Sequence, residues 1–345
     1  MTSGEKIAII GAGASGMTAA VSSARRGYKV TVYEHKQEVG LKIRITGHGK
    51  CNLTNTYMNV SCFNSDNSER IKTYLNEFGT DAAVGFFKSI GIETYEKNGY
   101  VYPVSNNAVE VADSLKKEAE MLGVEFILNC GELDINGLRD NYDRIILACG
   151  SNACKKTGSN GSGYKYLEKL GVKYSRILPA LCPIYVEDNS FCDVNDGKRI
   201  IASVSAYSEG NLLASDTGEV QIKKNALSGV PVFQISRWIS SALDNNQSCS
   251  IVLNLAPEMN DVPLFLRNRY TSPINEKLLF NVSRMSRFDH AQVCMGGVSL
   301  DDLTFDFELK AVPGVYVIGE LCDVDGICGG YNLHWAWLSG NLCCK

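Results

Sequence analysis

Residues 6–16, KIAIIGAGASG, open a unit whose order of parts is typical of one kind of fold. An apolar strand runs into glycines spaced G-x-G-x-x-G, an alanine-rich stretch follows to Arg26, and KVTVYE comes at residues 29–34. A glycine motif alone is weak, because glycine-rich turns are common. Strand, glycine turn, helix, strand and acid in this order are the context that a dinucleotide-binding unit requires. The sequence therefore predicts a Rossmann-type parallel sheet that begins with this unit.

Each glycine of the motif has a separate predicted role. Gly11 permits the tight turn out of the strand, Gly13 leaves room for the backbone to approach a pyrophosphate, and Gly16 lets the helix pack closely on the strand. The helix begins at this point, so the free N–H groups of its first turn, at Ala14 and Ser15, face the phosphates together with the positive end of its dipole.

An acid and a second glycine-rich segment extend the predicted site. Glu34 follows the second strand, where a carboxylate accepts hydrogen bonds from a ribose 2′-hydroxyl and repels a 2′-phosphate. Near the other end of the chain, GVYVIGE at 314–320 leads into GGYN at 329–332. A site built from both ends of the chain indicates a large bound nucleotide, and FAD fits better than NAD.

Composition limits the class of protein. The 345 residues are 45% hydrophobic and 21% charged, as in an ordinary globular protein, and the net charge of −4 argues against a general nucleic-acid or membrane-surface binder. No apolar run is long enough to span a bilayer. The odd number of cysteines, 13, contains no C-x-x-C pair, which indicates reduced cytoplasmic thiols and no zinc site. We expect a cytoplasmic protein with a small-molecule substrate and no metal; the oligomeric state stays open.

The remaining periodicity predicts an α/β architecture in two parts. Helices are expected over 67–91, 107–122 and 164–170, strands over 124–128 and 143–150, and a hairpin around Asn98-Gly99. After Pro179 short alternating strands dominate, for example 200–207 and 219–222, with a helix over 232–243. We predict a discontinuous Rossmann-like domain of residues 1–178 and 289–345, with an inserted strand-rich domain of residues 179–288 for the substrate.

Between these elements, the segment 40–55 has basic and amide side chains alternating with glycines and no helical period. This pattern favours a loop that wraps an anionic cofactor over a solvated surface loop.

Five motifs together resemble a known family of FAD-dependent oxidoreductases, which includes aminoacetone-oxidase-like proteins and bile-acid-inducible reductase-like flavoproteins. The motifs are KIRITGHGKCNLTN at 42–55, GSNGSGY at 158–164, LSGVPVFQISR at 227–237, GGV at 296–298 and GELCDVDGICGGYNLHWAWLSG at 319–340. They cover most of the chain in the family's order, and the last is the most specific.

The resemblance implies that FAD lies extended along the Rossmann domain. Its ADP half would be held by the first glycine motif, the path from pyrophosphate to flavin would be lined by residues from Lys42 to Asn52, and the last helix would face the pyrimidine side of the flavin. The predicted cofactor-binding residues are Gly11, Gly13, Ala14, Ser15, Gly16, Glu34, Lys42, Thr46, Gly47, Gly49, Lys50, Cys51, Asn52, Leu133, Gly150, Gly319, Glu320, Asp323, Gly330, Tyr331, Asn332 and Leu333.

The chain also departs from the family's pattern. His48 and Lys50 stand where the family usually has Asn and Arg, and His334 replaces a common Gln. Residues 260–290 are too few for the helical subdomain that the family usually carries. FAD binding is therefore expected to carry over better than the choice of substrate.

Catalytic residues are not evident, because the cofactor supplies the redox chemistry. The weak candidates are His48, Cys51, Tyr331 and His334, although a buried cysteine is more often a small hydrophobe and a histidine on an apolar helix is more often a core residue. We expect hydride transfer between flavin N5 and a small or medium organic substrate.

Two directions of this reaction remain open: NAD(P)H-linked reduction of an enone C=C bond, and oxygen-dependent oxidation of an amine or aminoketone. With one dinucleotide fingerprint in the sequence, a nicotinamide donor would bind transiently at the flavin face. A non-catalytic flavoprotein that uses FAD for structure or sensing is the rival from another class. A tRNA-modifying flavoprotein gains no support from the net charge.

Overall fold

A computed structural model describes residues 4–187, 190–269 and 277–345. The chain forms two compact units, Met1–Arg176 with Gly296–Lys345, and Ile177–Met295. The chain thus returns to the first unit at Gly296, later than the expected residue 289. Part of the segment predicted to be shortened, residues 270–276, lies outside the described residues.

Strands and helices alternate at the start of the chain, whereas strands dominate the middle. The strands are β1 (Lys6–Ile10), β2 (Lys29–Tyr33), β3 (Thr54–Asn55), β4 (Phe63–Asn64), β5 (Thr94–Lys97), β6 (Tyr100–Pro103), β7 (Glu125–Ile127), β8 (Arg144–Leu147), β9 (Leu178–Ala180), β10 (Ile184–Val186), β11 (Arg199–Ser208), β12 (Asn211–Lys223), β13 (Ala226–Ser228), β14 (Cys249–Asn254), β15 (Lys277–Met285), β16 (Val293–Met295), β17 (Val315–Val317) and β18 (Asp325–Gly326). The α-helices are α1 (Ala14–Arg25), α2 (Leu41–Ile45), α3 (Ser68–Glu77), α4 (Thr80–Ser89), α5 (Ala108–Met121), α6 (Ile135–Asn141), α7 (Ser162–Lys169), α8 (Ser190–Val194), α9 (Val230–Asp244) and α10 (Tyr331–Leu342).

A parallel sheet in the order β17-β8-β1-β2-β7 is the centre of the first unit. β1 is nearly continuous in buried apolar residues, with Ile7, Ala8 and Ile9 fully buried, as expected for a strand covered on both faces. Because parallel strands end at a common edge, the turns after β1, β2, β8 and β17 all open on the same side of the sheet. This confirms the predicted Rossmann-type fold and brings both ends of the chain to one edge.

Two helix predictions need correction. The expected helix over 67–91 is two helices, α3 and α4, because Phe78 and Gly79 adopt non-helical conformations between them. Apolar residues continue with similar spacing on both sides of the break, which made the two helices look like one. Residues 41–45, expected to be loop, form α2, which is too short to show a helical period and packs on α5 through the buried Ile43.

The second unit contains a closed barrel in the order β10-β13-β12-β11-β14-β15. The predicted strand over 200–207 is β11, and the expected strand over 219–222 is the end of the longer β12, with which β11 pairs antiparallel. β10 closes the barrel by pairing with β13 on one side and β15 on the other. Helix α9 packs its buried face, including Val232, Ile235 and Ile239, into the barrel's apolar core. The sequence thus correctly predicted a strand-rich region, and the structure adds its closure.

Across the described ranges, no helix has the length and apolar character needed to cross a membrane. Within the same ranges, no three His, Cys, Asp or Glu side chains are grouped so that they could hold a metal ion.

Candidate functional site

The glycine turn after β1 is shaped by close backbone packing. A Cβ on Gly16 would lie 2.0 Å from the carbonyl oxygen of Gly11 and 3.2 Å from the Cβ of Ala148. Gly11 has φ +106°, and a Cβ there would lie 2.5 Å from the carbonyl oxygen of Ala148. The predicted roles of these two glycines, a tight turn and close packing of the helix, match this geometry.

Gly13 differs from the other two glycines because it faces open space. It is the N-cap of α1 at φ −80°, a conformation open to any residue, and a Cβ there would meet no atom within 4 Å. Among the described residues, no side chain caps the first turn of α1, which contains Ala14 and Ser15. Free space in front of uncapped N–H groups and a positive helix end suits an anionic phosphate.

Glu34 directly follows β2, at the same edge of the sheet as the glycine turn after β1. Its carboxylate is buried and accepts hydrogen bonds from the N–H of Ala12 at 2.8 Å and of Lys36 at 2.9 Å. Its Oε1 also lies 3.0 Å from Nδ1 of His35. A carboxylate held in this way keeps further lone pairs for the hydroxyls of a ribose.

Leu133, another of the predicted cofactor-binding residues, donates its backbone N–H to the hydroxyl of Tyr166 at 3.1 Å. That N–H is therefore already used within the protein.

An ion pair joins predicted residues from opposite ends of the chain. Nζ of Lys42, on α2, lies 2.8 and 2.9 Å from the two carboxylate oxygens of Glu320. Ser151, fully buried, donates to Oε2 of Glu320 at 2.8 Å, and Gly150 lies beside them with φ +68°. Sequence reasoning did not select Ser151, although it directly follows the glycine turn after β8.

Gly319 connects the end of β17 to helices α1 and α10. A Cβ on Gly319 would lie 2.5 Å from Oγ of Ser15 on α1. Its N–H donates to Oγ of Ser339 and its carbonyl accepts from Nε1 of Trp335, at 3.1 and 3.0 Å. Helix α10 therefore fixes the turn after β17 against the first turn of α1.

The segment from Thr46 to Cys51 is a tight, glycine-rich turn. Gly47, His48 and Cys51 all have left-handed backbones, with φ of 56°, 55° and 58°, and the N–H of Cys51 donates to the carbonyl of Thr46 at 3.1 Å. His48 and Lys50 are exposed, and a Cβ on Gly49 would meet no atom within 4 Å.

Cys51 itself is fully buried. Burial raises the pKa of its thiol to about 12, so the thiol is neutral at pH 7. This environment favours the interpretation of Cys51 as a small hydrophobe.

Asn52 meets the beginning of α10 at a close approach. Gly330, the N-cap of α10, has φ +97°, and a Cβ there would lie 3.0 Å from both terminal atoms of the Asn52 carboxamide. The Asn52 oxygen is buried and has no hydrogen-bond partner in the part of the chain that the structure describes. An unsatisfied buried acceptor in a native protein calls for an explanation, and a bound ligand with an N–H donor is one.

The other residues predicted at the last helix have contacts within the protein. Tyr331 is buried and donates its hydroxyl to the carbonyl of Tyr57 at 2.8 Å, and burial raises its pKa. Asn332 exchanges two hydrogen bonds with the backbone of Gly326. Leu333 is half-buried on the same turn.

Asp323 accepts from the hydroxyl of Ser175 at 2.6 Å.

His334 is fully buried and both of its ring nitrogens are used. Nδ1 lies 2.8 Å from Oγ1 of Thr54, and Nε2 lies 3.0 Å from the carbonyl oxygen of Phe78, to which it donates. Burial lowers its pKa to about 4, so the ring is neutral at pH 7. These contacts favour a core role for His334 over that of a catalytic acid.

The arrangement fits an extended dinucleotide. The first unit contains the open space and free N–H groups at α1, the ribose-type carboxylate of Glu34 and the unsatisfied Asn52 oxygen at α10. The cofactor-binding set as a whole stays a prediction.

The chain matches the HI0933-like protein Rossmann domain over residues 5–345. It is 34% identical to the 3-dehydro-bile acid delta(4,6)-reductase of Clostridium scindens, with 98% of this chain and 97% of that protein covered. It is 25% identical to the ribosomal RNA dihydrouridine synthase of Escherichia coli, with 98% and 96% covered. The alignment with the bile acid enzyme spans 399 positions, so this chain of 345 residues is the shorter one within it.

Among solved structures, the chain is similar to the 3-ketosteroid-delta4-(5alpha)-dehydrogenase of Rhodococcus jostii. The TM-score is 0.53 at 12% identity, over 99% of this chain and 96% of that one. This likeness supports the fold alone. The match over residues 5–345 and the relative that is 34% identical across nearly all of both chains confirm the predicted resemblance and show that the chain belongs to the HI0933-like family of Rossmann-domain proteins.

Proposed function

We propose that this chain, an FAD-dependent oxidoreductase, reduces a C=C bond conjugated to a carbonyl in a small organic substrate and takes its electrons from NAD(P)H. The observation that carries the cofactor part of the proposal is the pairing of an open, uncapped helix end at Gly13 with an unsatisfied buried acceptor at Asn52. The 34% identical relative, whose name describes the reduction of a dehydro-bile acid, supports this direction of the reaction.

The proposed work of the protein is binding, orientation and electrostatics. The first turn of α1 holds the pyrophosphate, Glu34 holds the ribose of the adenosine, and Lys42 with Glu320 sets the charge of the path between phosphate and flavin. Bound FAD supplies hydride transfer at its N5 atom. The N-terminus of α10 stabilises negative charge on the pyrimidine side of the reduced ring, because the positive end of a helix favours an anion.

NAD(P)H is proposed as a transient donor rather than a resident ligand. The sequence carries one G-x-G-x-x-G fingerprint, at residues 11–16, and this one is assigned to FAD. A nicotinamide donor would then bind only for its own half-reaction and leave before the organic substrate binds.

An anaerobic experiment with the FAD-loaded protein tests the proposal. NADH or NADPH is expected to bleach the flavin absorbance, and a cyclic enone added afterwards, without oxygen, is expected to restore it with one saturated product per flavin. Gly13→Val, which should carry no FAD, controls for reduction by contaminants.

Three other outcomes would contradict the proposal and identify the alternative. Bleaching by an amine and recovery with oxygen alone would indicate an oxidase. A flavin that no donor reduces would indicate a structural or sensing role. Recovery with a uridine-containing ribosomal RNA fragment but with no enone would indicate the activity that the name of the Escherichia coli relative describes. The expectation that the protein has no nucleic-acid partner stays a prediction.

A further inference from the structure

Three tyrosines form a row on one face of the β5–β6 hairpin. Tyr100 and Tyr102 are two residues apart on β6, and Tyr95 is the register partner of Tyr102 on β5, so the three side chains share a face. The ring centroids of Tyr95 and Tyr102 are 5.9 Å apart and those of Tyr100 and Tyr102 are 6.4 Å apart, with interplanar angles of 31° and 27°. We call these three residues the tyrosine row.

The tyrosine row is not part of the core. The alternate residues of β6, Val101 and Pro103, are buried, whereas all three tyrosines are half-exposed. The row therefore presents aromatic surface that folding leaves partly open to solvent. Tyrosine offers such surface at a low cost in conformational entropy, which is why it is frequent where proteins contact ligands.

The row borders the segments proposed to hold the flavin. Tyr100 pairs with Asn55 on β3, and Asn55 donates its amide to the carbonyl of Gly329, just before α10, at 3.0 Å. At the other end of the row, the ring of Tyr102 lies 3.9 Å from the position that a Cβ on Gly47 would take. The row thus runs between the 46–52 turn and the turn that starts α10.

One hydroxyl of the row is open. Tyr95 donates to Oδ1 of Asn106 at 2.6 Å, whereas the Tyr102 hydroxyl makes no hydrogen bond within residues 4–187, 190–269 and 277–345. Burial raises the pKa of Tyr102, which keeps this hydroxyl protonated and able to donate. An aromatic face beside a free donor suits a flat ring that carries an acceptor oxygen.

We infer that the tyrosine row is the substrate-recognition surface of the proposed reductase and selects planar, conjugated cyclic ketones. The rings of Tyr100 and Tyr102 stack on the flat face of the substrate, and the Tyr102 hydroxyl donates a hydrogen bond to its carbonyl oxygen. This inference rests on the proposed function, because it assigns the substrate class of that reaction.

The charges near the row favour an uncharged ligand. On the hairpin, the exposed Glu93 and Glu96 accompany Lys97, and the adjoining turn adds Lys50. These charges balance, whereas a nucleic-acid surface needs an excess of Lys and Arg along the path of the phosphates.

Equilibrium binding to the oxidised, FAD-loaded protein tests the inference without any turnover. The probe is chromone, a flat bicyclic enone, and its control is 1-decalone, a puckered saturated ketone with two rings. Dissociation constants are measured by calorimetry for the wild type, Tyr102→Leu, Tyr102→Phe and Tyr100→Leu. Tyr174→Phe, a tyrosine on another surface of the unit, is the matched control variant.

Loss of a ring is expected to weaken chromone binding by about 10-fold, as for other stacked ligands. Tyr102→Phe keeps the ring and should lose about 5-fold, through the hydrogen bond alone. FAD content and the weak binding of 1-decalone should stay unchanged, as should all values for Tyr174→Phe.

Chromone affinity within about 2-fold of the wild type in all three row variants would overturn the inference. Equal losses for chromone and 1-decalone would also overturn it, since they would indicate a general structural effect. The inference would also be overturned if the wild type bound a uridine oligonucleotide more tightly than chromone and the row variants lost that binding. These results are independent of the reductase assignment, because the oxidised flavin reacts with neither probe.

Discussion

At the scale of single residues, the structure distinguishes the roles of two glycines in the G-x-G-x-x-G motif, Gly13 and Gly16. Sequence reasoning expects a valine at Gly13 or Gly16 to abolish FAD binding. Of these two, Gly16 is packed against other backbone, with the carbonyl oxygen of Gly11 2.0 Å from the position of its missing Cβ, while Gly13 faces open space. The two substitutions should therefore fail in different ways.

Gly13→Val is expected to fold and to lose FAD. Its extended N-cap backbone accepts a side chain, so the free energy of unfolding should fall by at most about 1 kcal/mol. Gly16→Val should lose about 3 kcal/mol or more, because its side chain meets the Gly11 carbonyl. Urea unfolding and FAD content of both variants check this; a Gly13→Val protein with one FAD per chain would refute the cofactor path.

Glu34 gives a graded prediction. Glu34→Ala should weaken FAD binding by about 1–3 kcal/mol, the usual cost of losing a hydrogen bond to a charged group. The structure adds that the apo protein should also lose stability, because the N–H groups of Ala12 and Lys36 lose their acceptor. FAD titration of Glu34→Ala and Glu34→Gln measures the first effect, and thermal unfolding of the apo forms measures the second. Unchanged FAD affinity in both would place the ribose elsewhere.

His334 predicts a pH dependence of stability. Its pKa is about 4 in the folded protein against an ordinary value of 6.5, so folding keeps the ring neutral. This stabilisation is complete above the unfolded pKa and is lost as the pH falls from about 6.5 toward about 4, by about 2 kcal/mol between pH 7 and pH 5.

His334→Gln removes the titrating ring and serves as the comparison. Urea unfolding at pH 7 and pH 5 should show the wild type losing about 2 kcal/mol more than this variant. Parallel losses in the two proteins would show that His334 does not titrate across folding.

At the scale of elements, the crossing of α1 and α10 holds the site together. A Cβ on Gly340 would lie 2.5 Å from the carbonyl oxygen of Ser15 and 2.9 Å from Cβ of Thr18, so the helices touch through this glycine. The same crossing sets Gly319 against Ser15, in the first turn proposed to bind phosphate.

Gly340→Ala should therefore lower both stability, by about 1–3 kcal/mol, and FAD affinity. Gly85→Ala is the matched control, because Gly85 lies inside α4 with no atom within 4 Å of its missing Cβ. That change should stabilise the protein by about 0.5–1 kcal/mol and leave FAD binding alone. Equal responses of the two variants in calorimetry and FAD titration would contradict the proposed importance of the crossing.

At the scale of the whole molecule, the elements visible in the sequence are those that local pattern determines. The strand, turn and helix of 6–25 occur as expected, since buried periodicity and glycines specify them locally, and the helix that begins at Tyr331 occurs where the family resemblance implied it. Barrel closure, in which β10 pairs with β13 and β15, depends on partners distant in the chain and leaves no local pattern.

The same distinction applies to the candidate site. The glycines and Glu34 could be predicted because they belong to a local sequence motif. Ser151 could not, because it contacts Glu320 only when β8 and β17 pair. The tyrosine row also depends on the pairing of β5 with β6, and only its hairpin could be predicted from the sequence.

A titration of the apo protein with FAD, FMN and NAD⁺ tests the central claim, that both ends of the chain build one site for an extended flavin dinucleotide. The account predicts one FAD per chain, bound at least about 100-fold more tightly than FMN or NAD⁺, because only FAD reaches both the first turn of α1 and the beginning of α10. Equal affinity for FMN would contradict a role for the α1 end, equal affinity for NAD⁺ would contradict a role for the α10 end, and no binding of FAD would contradict the site as a whole.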